Sequence, residues 1–212
     1  VSYTHIDAPQ RSDDWFAARL GRLTGSRAKD MLAVIKNGEA ASRRDLRAQL
    51  VVERLTSRPA EDVYVNDDMQ RGIDLEDAAR QAYEAHSGNL VEACGFLQHT
   101  TLMAGFSPDG LVGADGLIEI KCPRLATHYR RLTSSSAPSE VLPQVTHGLW
   151  LTGRAWADIV SYDDRFPLDM QLCVHRVMAV DLALDDYAVK VVSFLAEVDR
   201  DLAAVRGLKA VA

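Results

Sequence analysis

The clearest chemistry lies in one stretch, GFSPDGLVGADGLIEIKCP, residues 105–123. Asp109 sits at an S-P-D-G turn, and Glu119 and Lys121 follow on an apolar segment. Residues two apart on a strand share a face, so Glu119 and Lys121 point one way and Ile118 and Ile120 point the other, into a core. A turn at Ala114–Gly116 folds the Glu119 strand back beside Asp109. Two carboxylates and one ammonium then converge on one spot. That set suits a hard divalent cation such as Mg²⁺, which takes one or two carboxylates and completes its shell with water and phosphate. A cation there polarises a phosphoryl oxygen and acidifies a bound water. Lys121 orients or helps deprotonate that water and balances charge in the transition state. The Ile120 backbone carbonyl is a further candidate ligand. E-x-K alone reads more readily as a surface ion pair on a sheet face; the turn carboxylate upstream, with strand–turn–strand between, reverses that in favour of the metal site.

The elements that must position these groups are legible from periodicity. Ser12 reads as an N-cap, with Asp13 and Asp14 in the first turn and Gly21 beyond the end, giving a helix over 13–20. Further helices are expected near 26–35, 42–57 and 68–87. On the last of these Leu75, Ala78, Ala79, Ala82 and Tyr83 recur at helical spacing and face the core. The pattern then becomes short segments at 90–98, 101–106, 110–113 and 117–122, read as antiparallel strands. Helices at 124–133 and 138–152, strands at 155–162 and 171–180, and a final helix over 184–206 complete the chain. The fold class expected is α/β (α+β): one domain over 1–212, a helical part at about 12–88 and a catalytic central mixed sheet with flanking helices at about 89–206.

The formal net charge is −6, with 24 Lys and Arg against 30 Asp and Glu. A surface coated in DNA-binding charge is therefore excluded. Local basic groups remain at Arg19/Arg22/Arg27/Lys29, Arg43/Arg44/Arg47 and Lys121/Arg124/Arg130/Arg131, each equally readable as a solvated face. Three cysteines, Cys94, Cys122 and Cys173, are scattered and form no C-x-x-C pair, so neither a disulfide framework nor a zinc site is expected. The chain has no apolar run long enough for a membrane span, and its first residues lack the pattern of a signal peptide. Val1 at the start leaves open a missing initiator Met or a longer beginning. A cytoplasmic protein is expected.

P-D…E-x-K is the signature of the PD-(D/E)xK nuclease superfamily. The longer pattern resembles the phage lambda exonuclease and YqaJ-type viral recombinase family. The matching blocks are Arg19-Leu20-Gly21-Arg22-Leu23-Thr24-Gly25-Ser26, Arg71-Gly72 with Glu76, Ser107-Pro108-Asp109-Gly110-Leu111, Glu119-Ile120-Lys121-Cys122-Pro123, and Gln144-Val145 ahead of Trp150. The resemblance implies a restriction-endonuclease-like core and a Mg²⁺-dependent 5′-to-3′ exonuclease on double-stranded DNA, with Mn²⁺ able to substitute and two ions per site. It implies 3′ single-stranded tails for phage-type recombination, a single-strand annealing protein as partner, a homotrimeric ring and a phage or prophage origin. It assigns Asp109 and Glu119 to metal, Lys121 to catalysis, Glu76 to the second metal or attacking water, and Gln144 to the active site. Arg19, Ser26 and Ser107 match the residues that hold the terminal 5′ phosphate, a role that a guanidinium fork and hydroxyls suit. The resemblance also implies an apolar wedge, which no residue here identifies.

Each of these residues has a plainer reading. Glu76 fits an i,i+4 pair with Arg80, Arg19 a helix C-terminal cation, Ser26 an N-cap, and Gln144 a buried helix amide. His128, Tyr129 and His147 receive no role. Two other activities remain open: a PD-(D/E)xK endonuclease, which shares the core without end binding, and a non-catalytic module that binds DNA ends. A Cas4-like exonuclease needs four cysteines for its iron–sulfur cluster, one more than the chain has.

Overall fold

The computed structural model describes residues 3–60 and 66–209; of the span read as one domain, residues 1–2, 61–65 and 210–212 lie outside the described residues. The chain begins with β1 (Tyr3–Ile6) and α1 (Asp13–Arg19), then β2 (Leu23–Thr24), a 3₁₀ turn at Gly25–Arg27 and the short α2 (Ala28–Met31). The long helices α3 (Ala41–Thr56) and α4 (Asp67–Ser87) follow. Next come β3 (Phe96–His99), β4 (Ala104–Phe106), β5 (Gly110–Val112) and β6 (Gly116–Lys121). The last part holds α5 (Leu125–Leu132), α6 (Leu142–Thr152), β7 (Trp156–Tyr162), β8 (Leu172–Met178) and α7 (Leu184–Lys209).

The architecture is mixed α/β, and its strands divide into two four-stranded mixed sheets flanked by helices. One runs β1-β3-β4-β2, the other β5-β6-β7-β8. β4 and β5 are separated only by Ser107, Pro108 and Asp109, so the chain changes sheet at the Asp109 turn. β5 and β6 are antiparallel with Gly110 opposite Ile118, while β6 and β7 are parallel with Glu119 opposite Ile159. The parallel step needs a crossover, and α5 and α6 supply it.

β6 is buried on both faces, as a central strand should be. Ile118 and Ile120 pack under α4 with Ala79 and Tyr83, while Leu117 joins the larger core with Leu149, Ile159 and Phe194. α4 is tied across the sheet: the Tyr83 hydroxyl donates to Asp158 at 2.8 Å, and Arg176 grips the same carboxylate through two bonds of 2.8 Å. α7 is held to α3 by ion pairs of Arg43 and Arg47 with Glu197, of Arg47 with Asp201, and of Arg54 with Asp199.

The helix expected over 26–35 is reduced to a 3₁₀ turn and four α-helical residues. Neither start carries a side-chain cap, and Val34-Ile35 and Gly38 (φ +83°) offer nothing to extend it. Ser26 therefore lies inside the 3₁₀ turn and is not an N-cap. Of the strand expected over 90–98, only Phe96 onward is a strand, with Glu92 making a lone bridge to Leu111. The helix expected from 138 begins at Leu142, with Pro143 in its first turn. β1 and β2 have no counterpart among the expected elements.

Candidate active site

Asp109 and Glu119 meet where the two sheets join. The Asp109 Oδ2 accepts the backbone N–H of Ile120 at 2.6 Å, which fixes the turn to β6 beside Glu119. Glu119 is buried (1% exposed), and its Oε1 accepts both the Lys121 ammonium and the Gln144 amide at 2.6 Å. Its Oε2 is buried beside the Asp109 carboxyl, with no hydrogen-bond partner found among the described residues. A buried carboxylate oxygen without a donor is costly, so this atom calls for a cation or an ordered water.

The electrostatics agree. Burial, with the charges of Glu119 and Glu76, holds Asp109 well above the ordinary carboxylate range. Burial also raises Glu119, against the pull of Lys121. Burial works against the Lys121 ammonium, but Glu119 and Asp109 outweigh it and raise its pKa. Carboxylates that resist ionising together are relieved by a bound positive ion.

A cavity of about 410 Å³ holds the rest of the constellation. Arg19, Ser26, Glu76, Ser107, Asp109, Glu119, Ile120, Lys121 and Gln144 all line it. At one end the Ser107 hydroxyl accepts from Trp15 Nε1 at 2.8 Å and from Arg19 at 3.2 Å, and the Arg19 guanidinium stacks over the Trp15 ring at 4.0 Å. Burial, then the nearby Arg27, lowers Arg19 to about 10, which leaves it charged at neutral pH. Among the described residues it has no carboxylate within ion-pair distance, so its charge is open to an anionic ligand. Ser26 reaches the cavity because the backbone at Gly25 lies against Phe106; a Cβ there would meet the ring at 2.6 Å. The loop carrying these groups is anchored by buried Glu53, which accepts the Gly21 N–H at 2.8 Å and pairs with Arg27 at 2.9 Å.

Glu76 lines the same cavity but turns to arginines: Arg11 at 2.6 Å and Arg80 at 3.4 Å. Accordingly, among the described residues no three His, Cys, Asp or Glu side chains gather closely enough to hold a metal. Asp109 and Glu119 are the carboxylates of the cavity not paired with arginine, and Ile120 lines it beside them; Mg²⁺ accepts one or two carboxylates when water and phosphate supply the remainder.

Most of the basic clusters are internally neutralised: Arg43 and Arg47 by Glu39 and Glu197, Arg44 by Asp45, Arg124 by Asp68, and Arg131 by Glu140. His128 is buried between Ser161 and the Met170 carbonyl. His147 lies between Tyr187 and the Gly105 carbonyl. Tyr129 is exposed. Sequence reasoning overlooked Gln10, Arg11 and Trp15. Trp15 had a signal, since it precedes Arg19 by one helical turn; Gln10 and Arg11 had none.

The sequence matches the YqaJ-like viral recombinase domain over residues 14–155, two thirds of the chain. The chain belongs to the YqaJ-like viral recombinase family. Among solved structures, it is similar to an alkaline exonuclease (LHK-Exo) from Laribacter hongkongensis, with 39% identity and a TM-score of 0.85 over 94% of this chain and 98% of that one. The same exonuclease in complex with dAMP matches with a TM-score of 0.86 over 95% and 100%. A phage-related exonuclease from Haemophilus somnus 129PT shares the fold at 12% identity, with a TM-score of 0.68 over 87% and 96%. No curated protein matches the sequence. No described helix is long and apolar enough to cross a membrane.

Proposed function

We propose that this member of the YqaJ-like family is a divalent-metal-dependent exonuclease that removes nucleotides from the 5′ strand of duplex DNA and leaves a 3′ single-stranded tail. The observation that carries this reading is the buried Oε2 of Glu119, without a hydrogen-bond partner among the described residues, beside Asp109 and Lys121, in a cavity that Arg19 also lines without a carboxylate in ion-pair contact. Likeness to an alkaline exonuclease at 39% identity supports it, and so does that enzyme's complex with dAMP, a nucleoside monophosphate of the kind an exonuclease releases.

Asp109, Glu119 and the Ile120 carbonyl would hold Mg²⁺ or Mn²⁺, and Glu76 a second ion. The metal supplies Lewis acidity to the scissile phosphoryl group and a more acidic water. Lys121 stays protonated while the carboxylates are bare, and it places positive charge where negative charge develops. Gln144 fixes the Glu119 carboxylate through its 2.6 Å bond to Oε1, so Oε2 would be the oxygen left to take a cation. Arg19, Ser107 and Ser26 receive the terminal 5′ phosphate, with Trp15 buttressing both Arg19 and Ser107. A homotrimeric ring would retain DNA by topology despite the acidic net charge, and a single-strand annealing protein would take the tail. Recombination of phage type, in the cytoplasm of a bacterial host, is the setting.

Linear duplexes labelled at either strand end, with and without a 5′ phosphate, test this reading. Mg²⁺-dependent release of the 5′ label as mononucleotides, fastest from phosphorylated ends, with closed circular plasmid left intact, is the expected result. Release from the 3′ end, nicking of the circle or no hydrolysis would overturn it.

A further inference from the structure

The segment between β1 and α1 makes contacts that the proposed chemistry does not use. Gln10 donates to the carbonyl of Pro108, next to Asp109, at 2.8 Å. Arg11 donates to Glu76 Oε2 at 2.6 Å, from 65 residues away in sequence. Two adjacent residues thus bridge the turn that carries Asp109 and the helix that carries Glu76. Arg11 has φ +70°, a left-handed conformation that costs a non-glycine residue about 1 kcal/mol. Nothing about the turn itself requires arginine at this position.

The Arg11–Glu76 contact has a consequence for the ligand set. Glu76 is the third carboxylate of the cavity, and its side chain is only 20% exposed. Both of its oxygens are engaged, Oε2 by Arg11 and Oε1, more loosely, by Arg80. An oxygen held by a guanidinium at 2.6 Å is a poor ligand, because a second cation must approach it against the guanidinium charge and share its lone pairs. Arg11, in contrast, is 38% exposed, so a phosphate can reach it from solvent. A phosphodiester offers a guanidinium the same charge-assisted bonds as a carboxylate.

We infer that Arg11 is a positioning residue that withholds Glu76 from the metal site until a DNA phosphate takes over its guanidinium, so that substrate loading completes the ligand set. The inference rests on the metal-dependent nuclease reading above and adds the order of events. Binding of DNA and of metal at Glu76 are then coupled, and linkage requires each to strengthen the other.

The test is direct Mn²⁺ binding to the full chain without DNA, read by electron paramagnetic resonance, for the wild type, Arg11→Gly and Arg11→Gln. Glycine suits the backbone at φ +70°, so R11G keeps the fold, and R11Q retains bulk should glycine loosen the loop. With Glu76 released, both variants are expected to bind Mn²⁺ about fivefold more tightly than wild type, the scale of a single ion pair, or to take up an additional ion. A short duplex bearing non-hydrolysable end linkages is expected to tighten Mn²⁺ binding by wild type and not by the variants. A merely structural role for Arg11 would weaken metal binding or leave it unchanged. Equal or weaker Mn²⁺ binding by both variants overturns the inference and leaves the nuclease reading standing. Failure of wild type to bind Mn²⁺ at all, with or without the duplex, overturns both.

Discussion

Asp109 accepts the Ile120 amide at 2.6 Å across the junction of the two sheets, so the carboxylate from the turn is held by the strand that carries its partner Glu119. The local backbone, and not a long flexible side chain, sets the spacing of the two acids. Burial, together with the closeness of the two acids, raises the pKa of both.

Metal binding is therefore expected to stabilise the fold. Groups whose folded pKa is raised keep protons in the native state, so their destabilisation grows as pH rises through those folded values. At alkaline pH a ligand at 100 times its dissociation constant adds about 2.7 kcal/mol, which raises Tm by about 5–10 °C for a chain of this size. EDTA should reverse the shift and stop hydrolysis together. Asp109→Asn keeps an acceptor for the Ile120 amide and removes a charge; its metal-free Tm should equal or exceed that of wild type, and Mg²⁺ should no longer raise it. A metal-free D109N that melts well below wild type at alkaline pH would mean that the two charges do not strain the fold.

Lys121 is expected to matter to chemistry more than to binding. Among the described residues its ammonium is the one cation bonded to Glu119, and its removal leaves the transition state without that charge. Lys121→Ala should lower kcat by about 100-fold or more, while the Kd for a duplex end, measured in Ca²⁺ by fluorescence anisotropy, changes less than about fivefold. Equal losses in both would place Lys121 in substrate binding.

The Asp109–Glu119–Lys121 constellation was legible because its geometry is local: a turn, a short hairpin and a period of two fix it within thirteen residues. Leu75, Ala79 and Tyr83 were legible on α4 by the same logic of period. The division into two sheets was not, because β2 is only two residues long and pairs in parallel with a strand about eighty positions later. Nor was the engagement of Glu76. Arg80, four residues on, was foreseeable, but Arg11 reaches it through a tertiary contact that no helical spacing encodes. The N-cap expected of Ser26 failed because a 3₁₀ turn, seated against Phe106, replaces the start of the helix.

On the proposed reading Arg19 receives the end of the strand. Its guanidinium is stacked on Trp15 and bonded to Ser107, so little ordering remains when a phosphate arrives, and rigid donors discriminate well. Arg19→Ala should erase the rate advantage of 5′-phosphorylated over 5′-hydroxyl duplexes, a loss of about 10- to 100-fold on phosphorylated ends. Trp15→Phe, which removes one donor to Ser107 and keeps the stacking face, should lose a smaller part. Paired rate measurements on the two substrates check both, and an undiminished preference in R19A would exclude Arg19 from end recognition.

His147 makes the fold sensitive to acid through a group outside the cavity. Burial lowers its pKa from 6.5 to about 3. One ring nitrogen bonds the Tyr187 hydroxyl at 2.7 Å and the other the Gly105 carbonyl at 3.1 Å. The carbonyl can only accept, so Nε2 carries the proton and Nδ1 accepts from Tyr187, an arrangement that suits the neutral ring. The unfolded chain takes up a proton below about 6.5 while the folded chain does not, so this contribution is complete above 6.5 and is lost as pH falls toward 3. The slope is about 1.4 kcal/mol per pH unit, hence about 2 kcal/mol between pH 6.5 and 5. His147→Gln can keep a donor and an acceptor but cannot titrate. It should be less stable than wild type at pH 8, yet lose about 2 kcal/mol less on acidification to pH 5, measured by urea denaturation at each pH. Parallel curves for the two proteins would show that His147 titrates alike in the folded and the unfolded chain, so that its burial does not make the fold acid-sensitive.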